Sequence, residues 1–527
     1  MNLPGSAQMA GESFEIRAPL FHDFVGLHAR WYPAKLAVID EKSTVTWGEL
    51  ERRTNAVAQG LRKLGIRDGD SVAILLENCA EYVEVIYGIW KAGAVVVPLN
   101  LAVNEAGLLT MLADAAARVV FCSPGQHQRI AESLASLPSL LGGGVITLDA
   151  DTLDGGAPYR DWRDTQERGP PAVVVADDAP CNIIYSSGTT ALPKGIKHLH
   201  RRRVQAIYEL AVGHRYHYGA ISICPIGLYS NVAWASLLCV LIVGGTLIVR
   251  RSFDPPQWID DVHQYGVTHA MMVPIMFQRI IEAPNFRPER VRSLQAVLSG
   301  GSPLFESLKL RIMENFGCAV VELYGLTEGF MTMLQPEESE GRLSSVGKPM
   351  RGHDYLLLDE EDQVVPWGGT GEICVRSIHW MSEYHNRPDA TCDAMYFDAA
   401  GLQWLRTGDI GRTDHEGYLY IVDRKKDMIL SGGQNIYPAD IEAVMITHPC
   451  IAEVGVIGLP DQKWGESPVA VIVLRADTGA DAANDILQWT NQRVGKQQRI
   501  REVRIVDTLP RNPNGKILKR ELRRSLG

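Results

Sequence analysis

Asp68-Gly-Asp-Ser-Val-Ala-Ile-Leu-Leu76 opens on a turn and closes as an unbroken apolar run. An apolar stretch that does not alternate is the mark of a strand buried on both faces, the kind found inside parallel sheets. The flanking sequence agrees. Upstream, Thr46-Trp47-Gly48-Glu49 has the spacing of a capping box, Leu50, Val57, Leu61 and Leu64 fall on one helical face, and Gly65 can end the helix. Downstream, another helical segment reaches Gly93 and the strand Val95-Val96-Val97. Strand–helix alternation of this kind implies a parallel sheet covered by helices on both faces.

The same rhythm recurs around Arg118–Cys122, Gly245–Val249 and Leu294–Ser299. Between about 141 and 180 the chain is rich in Gly, Pro and Asp, which reads as a long surface connection. Val232–Val249 is the longest apolar stretch, but Ser236, Gly244-Gly245 and Thr246 interrupt it, so it predicts a buried helix, a glycine turn and a buried strand. Short β-like runs from 350 to 425 predict a smaller β-rich module. Past 427 the pattern resets, with a helix near Pro438 and strands at Val454–Ile457, Val469–Leu474 and Val503–Val506.

At 527 residues the chain is too long for one core. Its 46% hydrophobic and 22% charged residues exclude a mostly disordered chain and one built of membrane spans. The formal charge of −10 argues against general nucleic-acid binding. The nine cysteines contain no CxxC pair and form no disulfide framework, and Met1–Arg17 has no apolar core of signal-peptide length. A cytoplasmic protein is expected, without a membrane span and acting as a monomer or homodimer.

The chemistry begins at Ile184-Tyr-Ser-Ser-Gly-Thr-Thr-Ala-Leu-Pro-Lys-Gly195. Hydroxyls, glycines and one lysine crowd a loop after an apolar run, and such a loop can wrap phosphate oxygens. It is not a Walker A loop, because Pro193 precedes Lys194 and Gly195 follows it. Three further motifs follow in order: Glu322-Leu-Tyr-Gly-Leu-Thr-Glu328, Trp404-Leu-Arg-Thr-Gly-Asp409 and Asp423-Arg-Lys-Lys-Asp-Met-Ile-Leu-Ser-Gly-Gly-Gln-Asn-Ile-Tyr-Pro438. Last comes Pro510-Arg-Asn-Pro-Asn-Gly-Lys516.

With these motifs, from about Phe24 to Leu526, the chain resembles the adenylate-forming superfamily of acyl-CoA synthetases, nonribosomal peptide adenylation domains and firefly luciferases. The resemblance is strongest to carboxylate–CoA ligases. It implies an α/β protein with a large N-terminal domain, residues 1–425, made of layered helix–sheet subdomains plus a β-rich module. A small mobile α+β lid, residues 426–527, would turn on a hinge at Lys426. It also implies a two-step reaction: a carboxylate attacks the α-phosphorus of ATP, and a thiol, usually that of CoA, then displaces AMP.

The resemblance carries over residue by residue. Ser186, Ser187, Gly188, Thr189, Thr190 and Lys194 would cradle phosphates. Gly301, Ser302, Glu322, Tyr324 and Gly325 would line the nucleotide site, with Tyr324 on the adenine. Thr327 would donate to the α-phosphate, and Glu328 is the hard oxygen ligand suited to Mg²⁺. Asp409 would accept from both ribose hydroxyls, and Arg424 would contact the nucleotide. Lys516 would place its charge where negative charge develops during adenylation. Gly432 and Gly433 would give a pantetheine arm close passage along the backbone.

Three features depart from the family. Ala191 replaces a loop glycine, which predicts altered loop mobility with function kept. Gly227-Leu228 replaces the aromatic–His pair common in the acid pocket, so the acid is not named by the sequence; Tyr229, Ser230, Trp234, Gly301, Ser302 and Met331 are pocket positions by segment. The cluster Lys197-His-Leu-His-Arg-Arg-Arg203 reads as a solvated basic helix start, with attraction of CoA phosphates or pyrophosphate as the rival. The expected activity is an ATP-dependent ligase joining a small-to-medium organic or fatty acid to CoA. The alternatives are a stand-alone loader of carrier-protein phosphopantetheine, a non-catalytic nucleotide-binding protein and, more distantly, a luciferase-like oxygenase.

Overall fold

Thr46 caps the helix Trp47–Lys63 as its spacing predicts: its hydroxyl accepts the Glu49 N–H (3.2 Å) while Glu49 accepts the Thr46 N–H (2.9 Å). The helix leads to the strand Ser71–Leu75, all five residues of which are buried. This strand lies parallel between Val95–Pro98 and Val119–Cys122. The computed structural model describes residues 18–134, 136–148, 157–186, 193–431, 434–475, 482–512 and 515–526.

Around that strand an eight-stranded sheet runs in the order Glu383–Tyr384, Lys194–Leu199, Pro180–Ser186, Val95–Pro98, Ser71–Leu75, Val119–Cys122, Val145–Thr147, Ala157–Pro158. A second sheet of nine strands includes Met331–Leu334, Ala319–Gly325, Ala296–Gly300, His269–Met272, Ile221–Cys224 and Thr246–Val249 as successive neighbours. Helices from both units share one core, in which the Trp90 and Trp234 rings meet edge to face at 5.8 Å. Val232–Val249 folds as the sequence predicts: the helix Asn231–Ile242, a turn with Gly244 at φ +75°, and the strand Thr246–Val249. Among the described residues no helix is long and apolar enough to cross a membrane.

A five-stranded module follows, built from His353–Leu358, Thr370–Ser377, Met395–Phe397, Gln403–Thr413 and Leu419–Arg424. Beyond it the sheet formed by Ile429–Ser431, Gln434–Ile436, Ile451–Asp461, Gly465–Leu474 and Glu502–Ile505 has a core on each face. Val456 and Ile472 pack with Ile441, Met445 and Ile486 on one face, while Ile457 and Val471 pack with Leu509 and Leu522 on the other. Side chains alternate across a strand, so one run of apolar residues supplies both cores.

One expectation fails. The region from 141 to 180 is not a plain surface connection: it contains the strands Val145–Thr147 and Ala157–Pro158 and the helix Tyr159–Asp164. Its aromatic residues anchor it. The Tyr159 hydroxyl donates to Glu84 (2.8 Å) and Arg163 pairs with the same carboxylate (2.8 Å). The Trp162 ring fills the place of a missing side chain at Gly60, where a Cβ would lie 2.4 Å from it.

Candidate active site

The strands on either side of the Ser/Gly/Thr-rich stretch form an antiparallel hairpin pair, Pro180–Ser186 with Lys194–Leu199, in which Ser186 stands opposite Lys194. Ser187, Gly188, Thr189 and Thr190 lie outside the described residues, as do Gly432 and Gly433. The segment from Met381 to His385 is bound to this hairpin and to the acid-bearing turn. The N–H groups of Ser382 and His385 donate to the carbonyls of Lys197 and Gly195, each at 2.7 Å, and the Met381 N–H donates to the Glu328 carbonyl (2.8 Å). Tyr384 is thereby held so that its hydroxyl donates to Glu328 Oε1 (2.8 Å), with the Lys194 ammonium 4.7 Å from its ring centroid.

The Thr327–Glu328 turn is fixed from below. His198 Nε2 lies 2.7 Å from the Thr327 carbonyl oxygen, and Asn182 Nδ2 lies 2.9 Å from His198 Nδ1. Burial pushes the His198 pKa down to about 3, so the ring is neutral, with Nε2 donating and Nδ1 accepting. Gly329 ends the turn at φ +113°, and a Cβ there would meet the His379 carbonyl oxygen at 2.4 Å.

A second cluster forms where the β-rich module meets the C-terminal unit. Asp409 is buried, and it accepts from the Tyr324 hydroxyl (2.7 Å) and from Arg424 Nε (2.9 Å) through different oxygens. A carboxylate has about four lone-pair positions, so both oxygens keep acceptor capacity. Thr407, Gly408, Arg424, Lys425 and Lys426 line an open cleft of about 380 Å³.

Lys516 lies near enough to this cluster for the charges of Arg424, Asp409, Asp427 and Lys426 to act on it. Its N–H donates to Asn512 Oδ1 and its carbonyl accepts the Asn512 N–H, both at 2.8 Å, with Gly515 at φ +78°. A Cβ on Gly515 would lie 3.1 Å from Val273 Cγ2, so the C-terminal turn is seated against the N-terminal region. Burial first, and then the Arg424 charge, lowers the Lys516 pKa to about 8, with Asp409 and Asp427 opposing.

The other expected positions divide. Gly301 adopts φ +82° beside Val232 and Val273, and the Ser302 hydroxyl is buried without a partner among the described residues. Gly325 is exposed at the end of its strand and stands opposite Met331. The Glu322 carboxylate is committed elsewhere: it pairs with Lys309 at 2.5 Å, buried, with its pKa raised by desolvation to about 7. Trp234 is core and does not line a pocket, for it is fully buried and its indole N–H donates to the Leu228 carbonyl (2.6 Å). Ser230 caps the helix Asn231–Ile242 through the Ala233 N–H, and the Tyr229 ring lies over Gly227, where a Cβ would be 2.3 Å away. The basic cluster is not a solvated helix start either. The helix does begin at His200, but His198, His200 and Arg203 are buried.

The family model for AMP-binding enzymes matches residues 27–385, and that for the AMP-binding enzyme C-terminal domain matches residues 440–516. The chain belongs to the AMP-binding enzyme family. Among relatives of this AMP-binding enzyme, a feruloyl-CoA synthase of an Amycolatopsis species is 34% identical over 510 residues, covering 95% of this chain and 97% of the relative. ATP-bound MatB from Rhodopseudomonas palustris is 28% identical with a TM-score of 0.85, over 95% of this chain and 98% of that one. The o-succinylbenzoate CoA synthetase MenE from Bacillus subtilis, in complex with its acyl-adenylate intermediate, is 28% identical with a TM-score of 0.81, over 95% and 97%.

Sequence reasoning missed two residues that organise this AMP-binding enzyme's site, Tyr384 and His198 as the support of Thr327, and it missed Lys309 as the partner that takes Glu322 away from it. None belongs to the quoted motifs in these roles, and only folding brings them in. It also missed a trio in which two buried imidazoles meet a half-buried carboxylate. Glu209 Oε1 lies 3.2 Å from His379 Nε2, and Glu209 Oε2 lies 4.0 Å from His353 Nε2. The Met331 N–H donates to His353 Nδ1 (3.3 Å), so the His353 proton sits on Nε2 facing the carboxylate. The trio is thus a carboxylate set between two imidazoles, both with pKa values lowered by burial.

Proposed function

We propose that this AMP-binding enzyme is an ATP-dependent carboxylate–CoA ligase acting on a small-to-medium organic or fatty acid. The acid's carboxylate attacks the α-phosphorus of ATP, pyrophosphate leaves, and the CoA thiol then displaces AMP to give the thioester. The observation that carries the reading is that Lys516, from the far end of the chain, lies within range of the charges of Arg424 and Asp409, where Asp409 also holds Tyr324. A lysine ammonium there is placed to meet charge that develops only as the adenylate forms. Asp409 takes the ribose hydroxyls with its remaining acceptor capacity, and Arg424 faces the nucleotide. Tyr324 packs on the adenine, Lys194 and the loop from Ser186 to Thr190 hold phosphates, and the Ser302 hydroxyl lines the nucleotide site.

Glu328 suits Mg²⁺. Tyr384 occupies one carboxylate oxygen, and among the described residues no donor is recorded on the other. When bound, the ion would neutralise phosphate charge. Residues 1–425 form the acid and ATP site and 426–527 the mobile lid, with Lys426 as hinge and Gly432-Gly433 as the passage for pantetheine. The chain and the two CoA synthetases described above share at least 28% identity over nearly their whole lengths, which supports CoA as the acceptor.

The test is a CoA-dependent AMP-release screen over aliphatic, hydroxylated, alicyclic and aromatic acids, run beside ATP–pyrophosphate exchange. An acid that drives both assays supports the reading. Exchange without thioester formation on CoA would assign the second step to a carrier-protein thiol.

A further inference from the structure

Among the described residues no carboxylate pairs with Arg203. It is 6% exposed, on the first turn of the helix His200–Gly213. Among the described residues Asn231 Oδ1 is the one acceptor its guanidinium reaches, and Nε is buried with no partner. The groups that sense its charge are the thiols of Cys181 and Cys239 and the imidazole of His198, none of them a carboxylate. Arginine stays charged at any physiological pH and carries five N–H donors. A buried, uncompensated charge is costly, and an anion in the same place removes that cost.

The surroundings say where such an anion would come from. Asn231 begins the twelve-residue helix Asn231–Ile242, whose N-terminus is its positive end. Because its Oδ1 faces Arg203, its NH₂ group points away from the guanidinium, and it has no acceptor among the described residues. The next residue, Val232, packs beside Gly301; Gly301 adjoins Val273, and Val273 carries Gly515, the neighbour of Lys516. On the other side His198 bridges to the Thr327 carbonyl. Arg203 is therefore tied through Asn231 to the segment Tyr229–Val232, and Val232, Gly301, Val273 and Gly515 connect that segment to the turn bearing Lys516.

We propose that the acid substrate is a dicarboxylic acid, whose non-reacting carboxylate is held by Arg203 and the Asn231 amide while the other carboxylate is adenylated. The assignment rests on the ligase reading above and names Arg203 as a specificity-determining residue. A guanidinium and an amide side by side present several N–H donors to one carboxylate, an arrangement a neutral chain end cannot satisfy.

The experiment measures CoA-dependent AMP release by the full-length enzyme with a homologous series of dicarboxylic acids, their monomethyl esters, and monocarboxylic acids of matching length. The expected result is a kcat/KM at least about 10²-fold higher for one diacid than for its half-ester, because the half-ester leaves the buried donors unmatched. Arg203→Met should erase the preference, the two substrates converging, and Arg203→Lys should restore part of it. The wild-type comparison decides the matter by itself if Arg203→Met fails to fold. Equal or better turnover of half-esters or plain monocarboxylates overturns the assignment while leaving the ligase reading intact. If no acid of any series releases AMP, the diacid assignment falls, and the screen over hydroxylated, alicyclic and aromatic acids decides the ligase reading separately.

Discussion

The hydroxyl of Tyr384 donates to Glu328 Oε1 at 2.8 Å across 56 positions of sequence, and that one contact orients the carboxylate assigned to magnesium. A hydrogen bond to a charged group is worth about 1.5–3 kcal/mol, so Tyr384→Phe should lower adenylation kcat/KM by about 10- to 100-fold. The loss should shrink as Mg²⁺ is raised, and the melting temperature should barely move. Pyrophosphate exchange across a Mg²⁺ titration measures this; an unchanged rate would mean that Tyr384 does not position Glu328.

Lys516 should govern the alkaline limb of the first step. Its pKa is lowered to about 8, so it is charged below that value and loses its charge as pH rises through it. The kcat/KM for adenylation, which reports the free enzyme, should therefore fall above about pH 8, well before the ordinary lysine value. Lys516→Arg should carry the limb to higher pH. Lys516→Ala should nearly abolish adenylate formation and largely spare CoA transfer from supplied acyl adenylate. Equal loss in both half-reactions would sink the division of labour.

The buried pair of Lys309 and Glu322 makes a stability prediction independent of catalysis. Lys309→Met strands a buried carboxylate and should cost about 3–5 kcal/mol, whereas adding Glu322→Leu should recover much of the loss. Urea unfolding of the three proteins tests it. A double variant no more stable than the single one would show that the pair is not a closed unit.

Lys426→Pro should slow thioester formation more than adenylation, since proline locks one torsion at the assigned hinge. Single-turnover rates of the two half-reactions give the ratio, and an unaltered ratio places the pivot elsewhere.

What could be read in advance was local. Thr46 and Glu49 sit three residues apart, and Ser71–Leu75 is apolar throughout, so the capping box and the buried strand are written in adjacent letters. The contacts that shape the site are not. His198 meets Thr327 across 129 positions, and the basic residues near His198 look solvated until the helix His200–Gly213 is packed and Arg203 is found inside. The stretch from 141 to 180 misled for a related reason: its Gly, Pro and Asp content masks Tyr159 and Trp162, whose anchoring depends on Glu84 and on the bare backbone at Gly60. Trp234 stood in a pocket segment, yet periodicity cannot say which face of a helix apolar on every side meets a ligand.

Asp409 and Arg424 are cross-strand partners, and Lys426 follows two residues later. In any rotation, displacement grows with distance from the axis. If the chain pivots at Lys426, the Asp409–Arg424 clamp lies almost on the axis and barely travels, while Lys516 on its outlying turn sweeps a wide arc. An adenylate gripped at that clamp would stay still as the groups around its other end are exchanged, so that one bound intermediate could serve two chemistries without being let go.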